Sequence, residues 1–225
     1  MAKKKSSRSA ASAPNEESAA SQTIEDILAI ATEEFALKGL SGARVDEIAE
    51  RMQTSKRMIY YYFGGKDALY RAVLAKMYGD IRNRESQLNL SELSPVEAIR
   101  RLVELTFDYD ESHVAFIRLV SIENIHRAKH LAKLTSLRDV NSSVIKTLGD
   151  LIKRGLADGV FTQDIDPVDL HLFISAFCFF RVSNQHTLGV LFDRDLSDPK
   201  IRKKHKKMIV DTVLNLLGVN PKDRE

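Results

Sequence analysis

Three of the chain's five prolines sit inside one recurring device, and that device fixes where helices begin. Ser94-Pro95-Val96-Glu97 and Asp166-Pro167-Val168-Asp169 each place a capping side chain, then proline at the first helical position, then a carboxylate three residues past the cap; Asp198-Pro199 keeps the cap and the proline. Proline there gives up no donor that a helix needs, and the carboxylate opposes the positive end of the helix dipole. Between these starts, apolar residues recur at helical spacing over residues 112–125 and 136–157, with Gly159 as a stop signal. No segment alternates apolar and polar residues as a half-buried strand does, and no internal repeat is present. The expected class is all-α, with about nine helices.

The N-terminal third is organised differently. Residues 1–20 are mostly Ala, Ser, Lys and Glu without periodic hydrophobes and read as a disordered basic tail, in which Lys3, Lys4, Lys5 and Arg8 either touch DNA phosphates or are simply solvated. Thr23 and Asp26 resemble a capping box ahead of Ile24, Ile27, Leu28, Ala31 and Phe35, and Gly39 is the expected C-cap. Val45, Ile48 and Ala49 mark a short second helix. After the turn Met52-Gln53-Thr54-Ser55, a third helix puts Ile59, Tyr60 and Phe63 on its inner side. Lys66 and Asp67 open a fourth helix to about Leu88, carrying Leu69, Val73, Met77 and Ile81. The expected division is a tail (1–20), a small three-helix unit (21–67) and a larger helical bundle (68–225).

Net charge is only +3, so the placement of charge matters more than its sum. From Arg51 to Lys66 there are four cations (Arg51, Lys56, Arg57, Lys66), no acidic residue and three consecutive tyrosines. Cations interleaved with aromatic hydroxyls on one short helix suit a surface that meets phosphates and base edges. The single cysteine, Cys178, excludes an internal disulfide and fits a reducing cytoplasm. The most apolar window, residues 170–182, is too short to span a bilayer, and the start MAKKKSSRSA lacks the apolar core of a secretory signal. A cytoplasmic, nucleoid-associated protein is expected.

Catalytic readings find less support. Glu123-Asn124-Ile125-His126, with His130 four residues on, has the shape of a metal-ligand helix, but the chain has no second Glu-x-x-His and no His-Glu-x-x-His. Cys178 lies in an apolar run with no base beside it in sequence, and no glycine loop for cradling phosphate is present. No enzyme activity, metal or cofactor is expected.

Phe35, Gly39, Val45-Asp46-Glu47-Ile48-Ala49, Ser55, Ile59-Tyr60-Tyr61-Tyr62-Phe63 and Lys66-Asp67-Ala68-Leu69 together resemble the helix-turn-helix DNA-binding domain of TetR-family transcriptional regulators. Gly155-Leu156-Ala157-Asp158-Gly159-Val160-Phe161, followed by Asp166-Pro167, is similar to the family's bundle junction. The chain departs from the family at Gln53, where glycine is usual, and at Gly64-Gly65, where a polar pair is usual. Glutamine at a position of positive φ costs on the order of 1 kcal/mol.

The resemblance implies that the third helix enters the major groove, with Ser55 at its start. Lys56 and Arg57 then donate to guanine, Tyr61 contacts a thymine methyl, and Tyr60, Tyr62, Lys66 and Arg44 meet the flanking backbone. Tyr60 also flanks the core positions and reads equally as a packing residue. The function implied is a sequence-specific regulator, a repressor released from a palindromic operator by a small-molecule effector; the alternative is a DNA-bound protein whose bundle recruits a protein partner. The resemblance further implies a homodimer through a four-helix interface of the last two long helices, with Phe179, Phe180, Met208, Val213 and Leu216 as candidates. The other reading has these helices close only the chain's own core. The effector pocket implied within the bundle draws on Phe107, Phe116, Val120, Phe173 and Phe177, with Asn124, Arg181 and Asn184 as polar groups. Arg181 favours a carboxylate-bearing ligand or, alternatively, makes a salt bridge or subunit contact. The lysines of 200–207 read as a solvated face.

Overall fold

The computed structural model describes residues 13–223. Among them are ten α-helices, three short 3-10 turns and no strand. The helices are α1 (Ala13–Gly42), α2 (Val45–Arg51), α3 (Lys56–Phe63), α4 (Lys66–Ser86), α5 (Pro95–Ser112), α6 (Val114–Ile125), α7 (Ser136–Ala157), α8 (Pro167–Ser183), α9 (Gln185–Phe192) and α10 (Pro199–Leu216). The extra helix over the expected nine is α9, which the chain makes by interrupting the apolar run after Ser183 with Asn184 as the shared cap. Contacts divide the chain at Val73 and Leu74, inside α4 and six residues later than the expected boundary.

Residues 13–20, expected as tail, form the first turns of α1; residues 1–12, with their basic cluster, lie outside the described residues. The Thr23 box is therefore no helix start. Thr23 sits inside α1 and its hydroxyl donates to the Ala19 carbonyl at 2.9 Å, as mid-helix threonines do. Gly39 behaves as anticipated from its backbone freedom, taking φ 66° at a kink near the end of α1.

The first unit is held by Ile27, Ala31 and Phe35 of α1, Ile48 of α2, Ile59 of α3 and Leu69, Tyr70 and Val73 of α4, all fully buried. Phe35 and Tyr70 meet edge to face, with ring centroids 5.1 Å apart.

The second unit is built around α8, which packs on α5, α6, α7 and α10. The proline devices work as their spacing predicts. Asp166 Oδ1 accepts from Val168 N (2.8 Å) and Asp169 N (3.3 Å), Asp198 Oδ1 from Lys200 N (2.6 Å), and Ser94 Oγ from Glu97 N (3.3 Å). Leu170, Ile174 and Cys178 of α8 then interdigitate with Ile99, Val103 and Phe107 of α5 and Leu148 and Ile152 of α7 in one continuous core. Gly155 of α7 is buried against Phe161: a Cβ there would stand 2.0 Å from the ring. Gly155→Ala is accordingly expected to destabilise the bundle by about 1–3 kcal/mol through overpacking, read as a lower urea midpoint at unchanged slope. An unchanged midpoint would contradict this packing.

Candidate functional site

In the first unit α2 and α3 are joined by a turn whose geometry depends on Gln53. Its φ is 52°, in the left-handed region, while Gln53 N donates to Glu50 O and Thr54 N to Ala49 O, both at 3.0 Å. This is the positive φ expected at the position where glycine is usual. Ser55 caps α3 through its extended backbone alone, without a side-chain hydrogen bond. At the other end Gly64, φ 78°, closes α3 by donating to Tyr60 O at 2.8 Å, and Gly65 O receives Leu69 N at 2.9 Å as α4 begins. Gly64-Gly65 is thus a defined cap on both sides.

Ile59 is the buried anchor of α3. Arg57, Tyr60 and Tyr61 follow one another at i, i+3 and i+4 and share an outward face. Tyr61 is 78% exposed and Tyr60 45%, which places Tyr60 outside the core; Tyr62 is half-buried with its ring edge-on to Tyr61 at 5.2 Å. Arg57 is exposed and makes no ion pair or hydrogen bond among the described residues. Lys56 is exposed but pairs with Asp46 at 2.9 Å, and that hydrogen bond holds its ammonium above the usual lysine range. Arg44, mostly exposed, lies 3.9 Å from the same Asp46. Lys66, expected to meet the flanking DNA backbone, is half-buried and its ammonium donates to the Ala43 carbonyl at 3.0 Å. It ties the start of α4 to the α1–α2 connection.

The bundle residues proposed from sequence divide between the core and the surface. Phe107 is buried in the core and Phe116 packs edge-on to Tyr78 and Tyr109, at 5.2 and 5.9 Å. Val120 and Phe177 are half-buried, the latter edge-on to His205. Asn124 is exposed and satisfies the Val120 carbonyl of its own helix, Phe173 lies on the outer face of α8, and Asn184 donates to Phe180 O and Ser183 Oγ at the helix end. Arg181 is buried, but its donors are spent internally. It pairs with Glu111 of α5, donates from Nε to His205 Nδ1 (3.1 Å) and from Nη2 to the Leu196 carbonyl, and lies 5.0 Å over the Phe107 ring. Of the two readings of Arg181, the salt bridge is present in the structure. Of the proposed dimer residues, Phe180, Met208 and Leu216 are exposed and Phe179 is half-buried. Val213 is corrected: it is fully buried in the chain's own core, on a different face of α10 from the exposed Met208 and Leu216. The cations of α10 divide likewise: Arg202 and Lys206 pair with Asp108 at 2.5 and 2.7 Å and Lys207 with Asp211 at 2.6 Å, while Lys200, Lys203 and Lys204 are exposed.

The metal-helix reading of Glu123 is also replaced by a local role. Its carboxylate accepts from His130 N (3.1 Å), Leu131 N (3.0 Å) and His130 Nδ1 (3.0 Å), closing the turn after α6, while His126 is exposed. Cys178 is buried and its thiol is pushed up by burial, the opposite of what a nucleophile needs.

Comparison with known proteins agrees with this geometry. The family description "Bacterial regulatory proteins, tetR family" matches residues 27–73, the helix-turn-helix and its supports, and the "Tetracyclin repressor-like, C-terminal domain" matches residues 95–213. The chain belongs to the TetR family. It is 33% identical over 195 residues to the HTH-type transcriptional repressor NicS of Pseudomonas putida, covering 87% of this chain and 92% of that one. It is 31% identical to the HTH-type transcriptional repressor SCO4008 of Streptomyces coelicolor, over 69% of this chain and 76% of its relative. A TetR-family regulatory protein of Rhodococcus RHA1 shares the fold, with a TM-score of 0.69 at 18% identity over 88% of this chain and 98% of that one.

Within this TetR bundle lies a charged cluster that sequence reasoning missed. Arg82 and Glu85 of α4, each with a side chain about one-tenth exposed, stand 3.0 Å apart, Nη1 to Oε2. Their geometry makes no hydrogen bond, and Arg82 Nε and Nη1 have no hydrogen-bond partner. Burial pushes the Glu85 carboxyl up to about 7 despite Arg82, and does the same to Asp110 of α5. His171 of α8 is held below its ordinary value by burial and by the Arg82 charge. The signal for Asp110 was present in the sequence: it continues the stripe of Ile99, Val103 and Phe107, where an apolar residue belongs. Arg82 and Glu85 carry no such mark, because they sit beside that helix's apolar stripe.

Two outcomes follow. Because the folded carboxyl of Asp110 holds its proton up to about 7 while an unfolded aspartate ionises near 4, folding loses stability as pH rises between those values. Asp110→Asn should therefore be more stable than the parent at pH 8, by on the order of 2 kcal/mol, with the two converging near pH 4 in urea titrations; a less stable variant at pH 8 would contradict the assignment. In the head, Gln53→Gly should relieve the left-handed backbone and raise stability by about 0.5–1 kcal/mol, seen as a higher thermal midpoint, whereas a lower one would mean that the glutamine side chain contributes more than its backbone strain costs.

Proposed function

We propose that this TetR-family protein is a dimeric transcriptional repressor that binds a palindromic operator through α3 and releases it when a small molecule occupies the bundle. The observation that carries the DNA-reading part is the outward face of α3. Arg57, Tyr60 and Tyr61 present donors and rings on one stripe, and Arg57 has no internal carboxylate to satisfy it. A free guanidinium near the start of a groove-entering helix suits bidentate donation to guanine O6 and N7, and an exposed ring suits a thymine methyl. Arg44 and Lys56 share one carboxylate, Asp46, so phosphate is a competing partner for both. The names of NicS and SCO4008 support repression as the direction of control.

Dimerisation is supported by two unpartnered apolar stripes. Val168, Leu172, Ala176 and Phe180 follow one another at i+4 along α8 and are exposed, as are Met208 and Leu216 on α10. Two such helices from each of two chains form a four-helix contact that buries both stripes and sets two heads about 34 Å apart, one turn of DNA. Control is a population shift carried by α4, which contributes residues to both units. A ligand with about 100-fold preference for the DNA-incompetent state couples about 2.7 kcal/mol between the sites. No catalytic role is assigned, and the place of action is the nucleoid. Among the described residues no helix is long and apolar enough to cross a membrane.

One observation favours a second reading. Val190, Leu191 and Phe192 of α9 are all strongly exposed, as a surface that recruits a protein partner would be. Thermal stabilisation by a metabolite favours the sensor; its absence together with partner capture through α9 favours recruitment.

The operator is sought in DNA flanking the protein's own gene, across a salt series with non-specific competitor. On that operator, Arg57→Ala should cost about 1–3 kcal/mol and relax preference at one base pair, whereas Arg44→Ala should weaken all sequences alike and reduce the salt slope by about one. Equal losses from both variants across operator substitutions would sink this division of roles, and weak salt-sensitive binding to every fragment would count against sequence reading by α3.

A further inference from the structure

Arg82 borders a partly enclosed cavity of about 100 Å³ between α4, α5 and α7, where Leu90, Leu102, Ser143, Val144 and Thr147 form the wall opposite α4. Glu85, Ser86, Leu90 and Thr147 also line an adjoining groove of about 350 Å³ that continues past Asn89, Leu151 and Asp150, whose carboxylate is paired with Lys146 at 2.8 Å. Cavity and groove are neighbours that share these four residues, and the guanidinium on the inner wall has two nitrogens without hydrogen-bond partners. A buried charge with unmade hydrogen bonds is costly, and native structures keep one where something else completes it.

We propose that this cavity binds a small organic carboxylate, whose oxygens take the donors of Arg82 and whose body lies in the adjoining groove. The proposal rests on the ligand-release reading given above and specifies its ligand class and its site. Several features select the chemistry. The unmet groups are donors only, so the ligand must bring acceptors. One guanidinium balances one negative charge, and the other arginine of the groove, Arg154, is already committed to the carbonyls of Leu90, Ser91 and Leu93. A doubly charged phosphate would therefore lack a second cation. The apolar wall of Leu90, Leu102 and Val144 suits a carbon skeleton rather than an inorganic ion. A cationic ligand would be repelled by Arg82, and Glu85, raised towards neutrality by burial, is a weak counter-ion for it. The same raised carboxyl can keep its proton and donate to a ligand oxygen. Because Arg82, Glu85 and Ser86 belong to the last turns of α4, a ligand held there acts on the helix that also supplies Leu69, Tyr70 and Val73 to the DNA-binding unit.

The test uses the full chain with benzoate and hexanoate as probes and benzamide and hexanamide as their neutral counterparts, all at millimolar concentration. The readouts are the arginine Nε–H resonances and the thermal midpoint. The Arg82 resonance is assigned with Arg82→Lys, which keeps the charge and loses that N–H. The expected result is that at least one carboxylate moves the Arg82 resonance and raises the midpoint while its amide does neither. Arg82→Gln should then weaken that carboxylate by about tenfold or more. If Arg82→Gln does not fold, the resonance in the parent protein still decides. Carboxylates that leave the Arg82 resonance unmoved, or that bind Arg82→Gln as tightly as the parent, overturn the proposal. Operator affinity measured in the same titrations separates it from the broader reading. Carboxylate bound at Arg82 with unchanged operator affinity sustains the site and removes ligand release. A neutral metabolite that releases the operator while carboxylates leave Arg82 untouched sustains ligand release and removes the site.

Discussion

The second unit depends on one constraint: α8 is apolar on nearly every side, and a single chain can bury only part of it. Its inner residues Leu170, Ile174, Cys178 and Val182 are covered by the helices around it. Covering them fixes the helix's rotation and leaves Val168, Leu172 and Phe180 outside. The Arg181 cluster holds that rotation by pairing α8 to Glu111 of α5, to His205 of α10 and to the Leu196 carbonyl ahead of α10. A helix fixed in this way presents its second stripe to whatever comes next, which is why the dimer is the natural reading of this surface.

The first unit rests on a different economy. It is small, and its core is a few large residues from four helices, with the Phe35–Tyr70 contact joining α1 to α4. Around that core, polar side chains lock the connections: Lys66 holds the Ala43 carbonyl, and Lys38 bridges the Glu34 and Glu47 carboxylates. What remains unlocked is the outer face of α3, so the parts of the head free to meet a partner are those without internal employment.

Much of this architecture was legible from the chain. Helix starts at Pro95, Pro167 and Pro199 followed from local capping chemistry, which needs only neighbours within three residues. The left-handed Gln53 was legible from the position at which the family carries glycine. Where the reading failed, the deciding partner was distant. Thr23 offered a local cap, but the helix runs through it to Ala13. For Arg181 the chain left a ligand and a salt bridge both open, because the pairing carboxylate, Glu111, lies seventy residues earlier. Val213 and Met208 are apolar residues of one helix, and only packing decides which faces inward. The Arg82 cavity was invisible for the same reason, since its wall is assembled from three helices that each look ordinary alone.

The sequence by itself determined the all-α class, the helix-turn-helix, the family and the cations and tyrosines of α3, because caps, periodicity and turn conformation are set by residues close in the chain. Only the tertiary structure decided which charges are spent internally and which are left over. Pairing and burial depend on groups far apart in sequence, and the free energy of a charge is set by what surrounds it in space. Arg181, satisfied on every side, and Arg82, buried with two donor nitrogens unmet, are the same residue type, and folding gave them opposite roles.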